Sequence, residues 1–156
     1  MKKTLMVTYP VLVLMLFSCS KAKEAFGITT ATWHVGTDTY TSTNVVKDGT
    51  TQVRANGTNS NSMQVFFSAI PATAGTYKVV SETKAGNNTL ASNELAVEFN
   101  VGANDVYLST GSGDVMATVT VDGNGNVIVD VPTIEVEHFA GAGSLGKTTG
   151  DGELEY

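Results

Sequence analysis

An all-β domain, built as an antiparallel β-sandwich of roughly ten short strands, is predicted by three features of this chain. Beyond residue 27 it is rich in Thr, Val, Asn and Gly and poor in Leu, Lys, Arg and Gln. β-branched residues fit pleated, half-buried surfaces, while Gly and Asn supply tight turns. Apolar residues recur at every second position in several segments, the period of a strand with one face in the core and one in water. Turn signals interrupt the chain at short intervals, and no helical period is visible after residue 27. A closed β-barrel is the alternative arrangement of the same strands.

Taken in order, residues 28–35 form the first strand, with Trp33 and His34 near its end. Gly36, Thr37 and Asp38 turn the chain, and 39–46 return. Lys47-Asp48-Gly49 is a second turn signal before a short strand at 51–55, and a polar loop follows at 56–61. Met63, Val65, Phe67 and Ala69 then alternate with Gln64, Phe66 and Ser68. After a turn at 71–75, residues 76–83 read as a strand with Tyr77 and Val79 on one face and Lys78 and Glu82 on the other. Residues 85–88 break it. The clearest alternation runs from Glu94 to Val101: Leu95, Val97, Phe99 and Val101 point one way, and Glu94, Ala96, Glu98 and Asn100 the other. Further strands fall at 106–110, 115–121 and 127–131. Pro132, which cannot donate to a ladder, marks a boundary before strands at 133–139 and 148–156.

The opening segment has the order of an export signal: Lys2 and Lys3, an apolar run from Leu5 to Phe17, and then the single cysteine, Cys19. The run is shorter than the roughly 20 apolar residues that span a bilayer as a helix. Leu16, Phe17, Ser18 and Cys19 resemble the lipobox of bacterial lipoproteins. That resemblance implies cleavage before Cys19, lipidation of its thiol and, with Ser20 in the following position, transfer to an outer membrane. Residues 1–18 are then a lipoprotein signal peptide, 19–27 a lipidated tether with Lys21, Lys23 and Glu24, and 28–156 the β-sandwich domain. A lone cysteine has no internal disulfide partner, and two or more acyl chains anchor a protein stably. The expected location is a bacterial outer membrane, on its periplasmic face or at the cell surface. From end to end the chain resembles small lipoproteins of Bacteroidota type, with Trp33, Tyr40 and Gly75-Thr76-Tyr77 as further echoes.

From Glu24 onward 15 acidic residues face five basic ones (Lys47, Arg54, Lys78, Lys84 and Lys147), a net charge of −10. Such a surface repels nucleic acid and anionic headgroups, so nucleic-acid binding is excluded as an expectation.

Several stretches imitate chemical motifs. Residues 141–148 satisfy G-x-x-x-x-G-K-[ST], the phosphate loop, but that loop needs a helix behind it, and 149–156 carry two glycines in eight residues. The expected form is a glycine-rich loop between the last two strands, with no nucleotide partner. Ala142–Gly146 resembles a nucleophile elbow, yet His34 and His138 both precede Ser144, against the order that device requires. Asp122-Gly123-Asn124-Gly125-Asn126 opens like a calcium loop, but Val127 stands where the turn glycine belongs and Thr133 where the bidentate Glu belongs; a hairpin turn explains the same residues. His138 alternates with Glu135 and Glu137 and so faces away from both. With two histidines and one cysteine, neither zinc nor any other cofactor is expected. Trp33, Tyr40, Phe66, Phe67, Tyr77, Phe99 and Tyr107 are core candidates, Phe66 being the one on the opposite face of its strand.

The reading that follows is a membrane-anchored, non-enzymatic β-sandwich, lipidated at Cys19, that acts as a binding or surface-structural module for a glycan or protein partner. The alternatives are a lipocalin-like carrier of a small apolar ligand, which an interior cavity would support, and a glycan-binding or adhesin subunit using strand addition at a sheet edge. An enzyme would require an acid such as Asp130, Glu135 or Glu137 beside a histidine in a cleft.

Overall fold

The computed structural model describes residues 29–141 and 143–156. The signal segment 1–18, the tether 19–27 and Cys19 lie outside the described residues. The rest is all-β and sandwich-like. Its strands are β1 (Ala31–Val35), β2 (Asp38–Ser42), β3 (Val45–Asp48), β4 (Gln52–Asn56), β5 (Ser62–Phe67), β6 (Gly75–Val79), β7 (Glu94–Val101), β8 (Asp105–Ser109), β9 (Met116–Val121), β10 (Val127–Ala140) and β11 (Gly143–Glu155); one short helix, α1 (Glu82–Gly86), lies between β6 and β7.

The strands follow the order β2-β1-β11-β10-β9-β6-β7-β5-β4-β3, and β8 bridges β10 and β7. A hydrogen-bonded circuit β10-β9-β6-β7-β8 thus occupies the middle, and two wings extend from it to the edge strands β2 and β3. The edges are not paired to each other, so the sheet is not a closed barrel. The wings face one another instead. Gly152 of β11 packs against Trp33 beside it and against Met63 of β5, while Gly150 packs against Phe99 of β7. Pairing is antiparallel with one exception, the parallel contact of β6 with β7 at Lys78↔Glu94 and Val79↔Leu95. The fold is thus the expected antiparallel sandwich with one parallel step. A sheet made parallel at one step needs a crossover, and α1 with the loop after it supplies one.

Three expected boundaries also shift. The strand expected at 76–83 ends at Val79, and residues 82–86 form α1. Pro132 does not separate two strands. β10 runs through it with a register shift between Val131 and Ile134, so that Pro132 and Thr133 bulge outward with both side chains exposed. The glycine-rich loop expected at 141–146 is a tight hairpin, with β11 already under way at Gly143.

The alternations otherwise fall as expected. Trp33, Met63, Val65, Leu95, Val97, Phe99, Val129, Val136 and Leu154 are fully buried between the wings, with Phe67 almost so. Two residues are exceptions: Ala69, expected inward, lies past the end of β5 and is exposed, and Ala96 is fully buried on the face expected to be wet. Ala96 sits opposite Phe66 in the β5–β7 ladder, and α1 packs over β7. Phe66 lines a small hollow there with Ala85 and Leu90. A minor outer cluster therefore gives Phe66 partial cover.

Candidate functional site

The inner face of the sandwich changes character along its length. On β10 the inward positions Val127, Val129, Val131, Ile134 and Val136 are buried and apolar, and the next inward side chain is His138. On β8 buried Ser109 is followed by Tyr107 and Asp105, and on β2 buried Ser42 is followed by Tyr40 and Asp38. On β11 the series Leu154, Gly152, Gly150 continues to Thr148. Strand periodicity aims all of these residues into the same interface. Where the apolar series runs out, at the end of the β10–β11 ladder, the interface opens as a polar mouth.

His138 organises that mouth. Its Nε2 lies 2.8 Å from Asp105 Oδ1, and its ring stacks on Tyr107, with centroids 4.3 Å apart and planes within 7°. β8 and β10 pair His138 directly with Tyr107, which accounts for the stack. Tyr40 lies flat against Trp33 at 5.8 Å. Burial raises the phenol pKa values of both Tyr40 and Tyr107, and the carboxylates of Asp38 and Asp105 raise them further. Both phenols therefore stay protonated, in a region of negative potential. The mouth forms a groove of about 260 Å³ lined by Val35–Asp38, Tyr107, His138 and Leu145–Thr148. Lys147 does not neutralise it, since its Nζ bonds Glu135 Oε1 at 2.8 Å and that contact raises its own pKa.

A second His–Asp pair lies on the outside. His34 Nδ1 is 2.6 Å from Asp151 Oδ1 across the β1–β11 ladder. Thr133 Oγ1 donates to Asp151 Oδ2 at 3.5 Å, so the hydroxyl sits on the carboxylate and not on the imidazole. His34, Asp130, Asp151 and Glu153 line a shallow depression at the β10 bulge. Asp130 is therefore brought near a histidine, as an enzyme would need, but on a surface open to water.

The motif-like stretches resolve into structure. Gly141 turns the β10–β11 hairpin with φ of 62°, and the residues after Lys147 continue as β11, so the strand–loop–helix context of a phosphate loop is not formed. Asp122 Oδ1 accepts hydrogen bonds from the Asn124 and Asn126 amides, both at 2.8 Å, and Oδ2 accepts from the Asn126 side chain at 3.0 Å. Desolvation works against its charge, but these bonds outweigh it and hold the carboxyl below its ordinary range. The carboxylate is spent on its own turn. Glu135 and Glu137 point away from His138, as alternation requires. Of the aromatic candidates, Trp33, Phe67 and Phe99 are core, Tyr77 packs edge-on against Phe67, and Tyr107 alone lines the mouth.

Sequence reasoning missed Asp38 and Asp105 as site residues. A signal was available: each falls at the inward phase of its strand, where an apolar residue is the rule. No groups of three or more His, Cys, Asp or Glu able to hold a metal occur among the described residues. Comparison with protein-family models, with curated proteins and with solved structures returned no match.

Proposed function

We propose that this protein is a lipoprotein, acylated at Cys19 and held at a bacterial outer membrane, whose all-β domain is a non-enzymatic binding module. The observation that carries the second half is the distribution of polar groups. The interior is closely packed, and polar groups gather at its open end, with a second set in the shallow depression at the β10 bulge. A methyl group added at Gly152 would come within 2.7 Å of Trp33 Cβ and 2.8 Å of Met63 Sδ. Side chains in such contact leave no room between the wings for an apolar cargo, which weighs against a carrier. The His138 and His34 imidazoles each spend a nitrogen on an aspartate, and that arrangement is satisfied without a nucleophile. A rigid sandwich that presents variable side chains at its end is a common platform for recognition.

The anchor rests on the lipobox-like Leu16–Cys19 and is tested directly. Cys19→Ala is expected to move the full chain from the detergent-rich phase to the aqueous phase after phase separation of whole membranes. Unchanged partitioning would sink the lipoprotein reading.

A further inference from the structure

The mouth at the end of the β10–β11 ladder fits one chemical class better than others, and we propose that it binds an organic ammonium group, with the carboxylate of Asp38 and the ring of Tyr107 as its two recognition elements. This rests on the binding-module reading above and names its ligand. Four observations carry it. Asp38 is exposed at the rim of the groove and makes no ion pair among the described residues. Lys147, the one lysine or arginine among the groove-lining residues, has its ammonium held by Glu135. Tyr107 is fixed by its stack on His138, and His138 by Asp105, so the aromatic wall is set before any ligand arrives. The groove, at about 260 Å³, suits a side-chain-sized group such as a lysine tip or a choline head.

Cations are attracted to tyrosine rings by the ring quadrupole, and a carboxylate beside the ring adds a charge pair. The phenols of Tyr40 and Tyr107 are raised first by burial and then by the nearby Asp38 and Asp105 carboxylates, in keeping with a mouth of negative potential. The same features disfavour two competitors. A calcium ion takes six to eight oxygen ligands, usually with several carboxylates among them, and Asp38 is the one carboxylate lining the groove, with Asp105 turned to His138. A neutral saccharide could use Asp38 only as a hydrogen-bond acceptor, without the charge pair that a cation makes there.

The test uses the full ¹⁵N-labelled chain in detergent micelles at fixed ionic strength, titrated with choline chloride or n-butylammonium chloride. Saturable shifts are expected at the amides of Asp38, Tyr107, His138 and residues 146–148, with Kd on the order of 1 mM, as befits an open site for one small cation. The neutral isostere 3,3-dimethylbutan-1-ol is expected to bind at least about tenfold more weakly, and Asp38→Asn to weaken choline binding by a similar factor. Tyr107→Phe keeps the ring and is expected to retain binding, whereas Tyr107→Leu loses it. Because Asp38 is exposed, Asp38→Asn decides the matter even if Tyr107→Leu fails to fold. Equal binding of the neutral alcohol overturns the proposal, as does a saturable response to a hexose in place of choline. An absent response to both ammonium salts overturns it too. Loss of this response with Cys19-dependent anchoring intact removes the ligand class and leaves the anchored-module reading standing; the reverse result separates the two the other way.

Discussion

Two glycines decide how closely the wings of this sandwich approach. Gly150 and Gly152 stand at inward positions of β11, where a core-forming side chain would be the rule. A Cβ at Gly150 would meet Phe99 Cε2 at 2.6 Å, and one at Gly152 would meet Trp33 Cβ and Met63 Sδ. Neither has a positive φ, so packing, not backbone conformation, requires glycine here. Gly150→Ala and Gly152→Ala should each cost about 1–3 kcal/mol through overpacking. Urea unfolding is expected to show a lower midpoint with an unchanged slope. Midpoints matching the parent would mean the wings are less tightly joined than these contacts indicate. The sequence hid this role, because a glycine in a strand pattern marks close approach without saying what approaches. The polar mouth is hidden as well: the sequence pattern places Tyr107 in the core and Asp38 and Asp105 outside the strands, although each lies at the inward phase of its strand. What could not be read was that β8 and β10, separated by β9, lie side by side.

At the scale of elements, strand alternation was a dependable guide wherever both neighbours were strands. Val127–Val131 falls as its pattern requires, and so do Leu95, Val97 and Phe99, with Ala96 covered on the outer face as the exception, because a one-residue slip would turn every apolar side chain into water. The pattern failed at 76–83, where β-branched residues run into a capped turn. Ser81 Oγ accepts from the Thr83 amide at 3.4 Å, and the chain leaves the sheet as α1. The decisive contact is distant in sequence. Lys84 Nζ reaches both oxygens of Glu94, at 2.7 and 2.6 Å, and Glu94 Oε2 accepts from the Ala91 amide at 3.0 Å. The Ala91 amide and then Lys84 hold the Glu94 carboxyl below its usual range, and its side chain is only 16% exposed. This staple fastens α1 and its loop to the start of β7. Glu94→Gln should therefore speed amide exchange in residues 84–91 at least about tenfold and lower global stability by about 1 kcal/mol. Exchange that accelerates equally throughout the sheet would argue against a local staple.

For the molecule as a whole, acidity is the dominant electrostatic fact, and the carboxylates do not all act in one direction. Asp114, Asp122, Glu94 and Glu135 have depressed pKa values, through Lys78, the 122–126 turn amides, the Ala91 amide with Lys84, and Lys147 with Thr110 respectively. A depressed carboxyl contributes stability that is present above its unfolded pKa and lost as pH falls through its folded one. Glu82 has the opposite sign: burial first, and then the Glu98 charge, raise its pKa, so its ionised form weakens the fold at neutral pH. As pH falls from neutral, Glu82 should take up its proton first and relieve that cost. Near about pH 4 the unfolded chain then begins to take up protons while the four depressed native carboxylates still resist them. Stability should accordingly pass through a shallow maximum on the acid side of neutrality and decline steeply below about pH 4. Urea midpoints measured from pH 7 downward test this, with Glu82→Gln as the internal control. That variant should be more stable than the parent at pH 7, by a few tenths of a kcal/mol once solvent screening is allowed for. It should also lose the rise toward the maximum while keeping the acid decline. A parent curve that stays level through pH 3 would mean the native ion pairs and turn bonds contribute nothing net. A Glu82→Gln curve that keeps the rise would assign it to general relief of the −10 charge carried by residues 24–156, and raising the salt concentration would then flatten it.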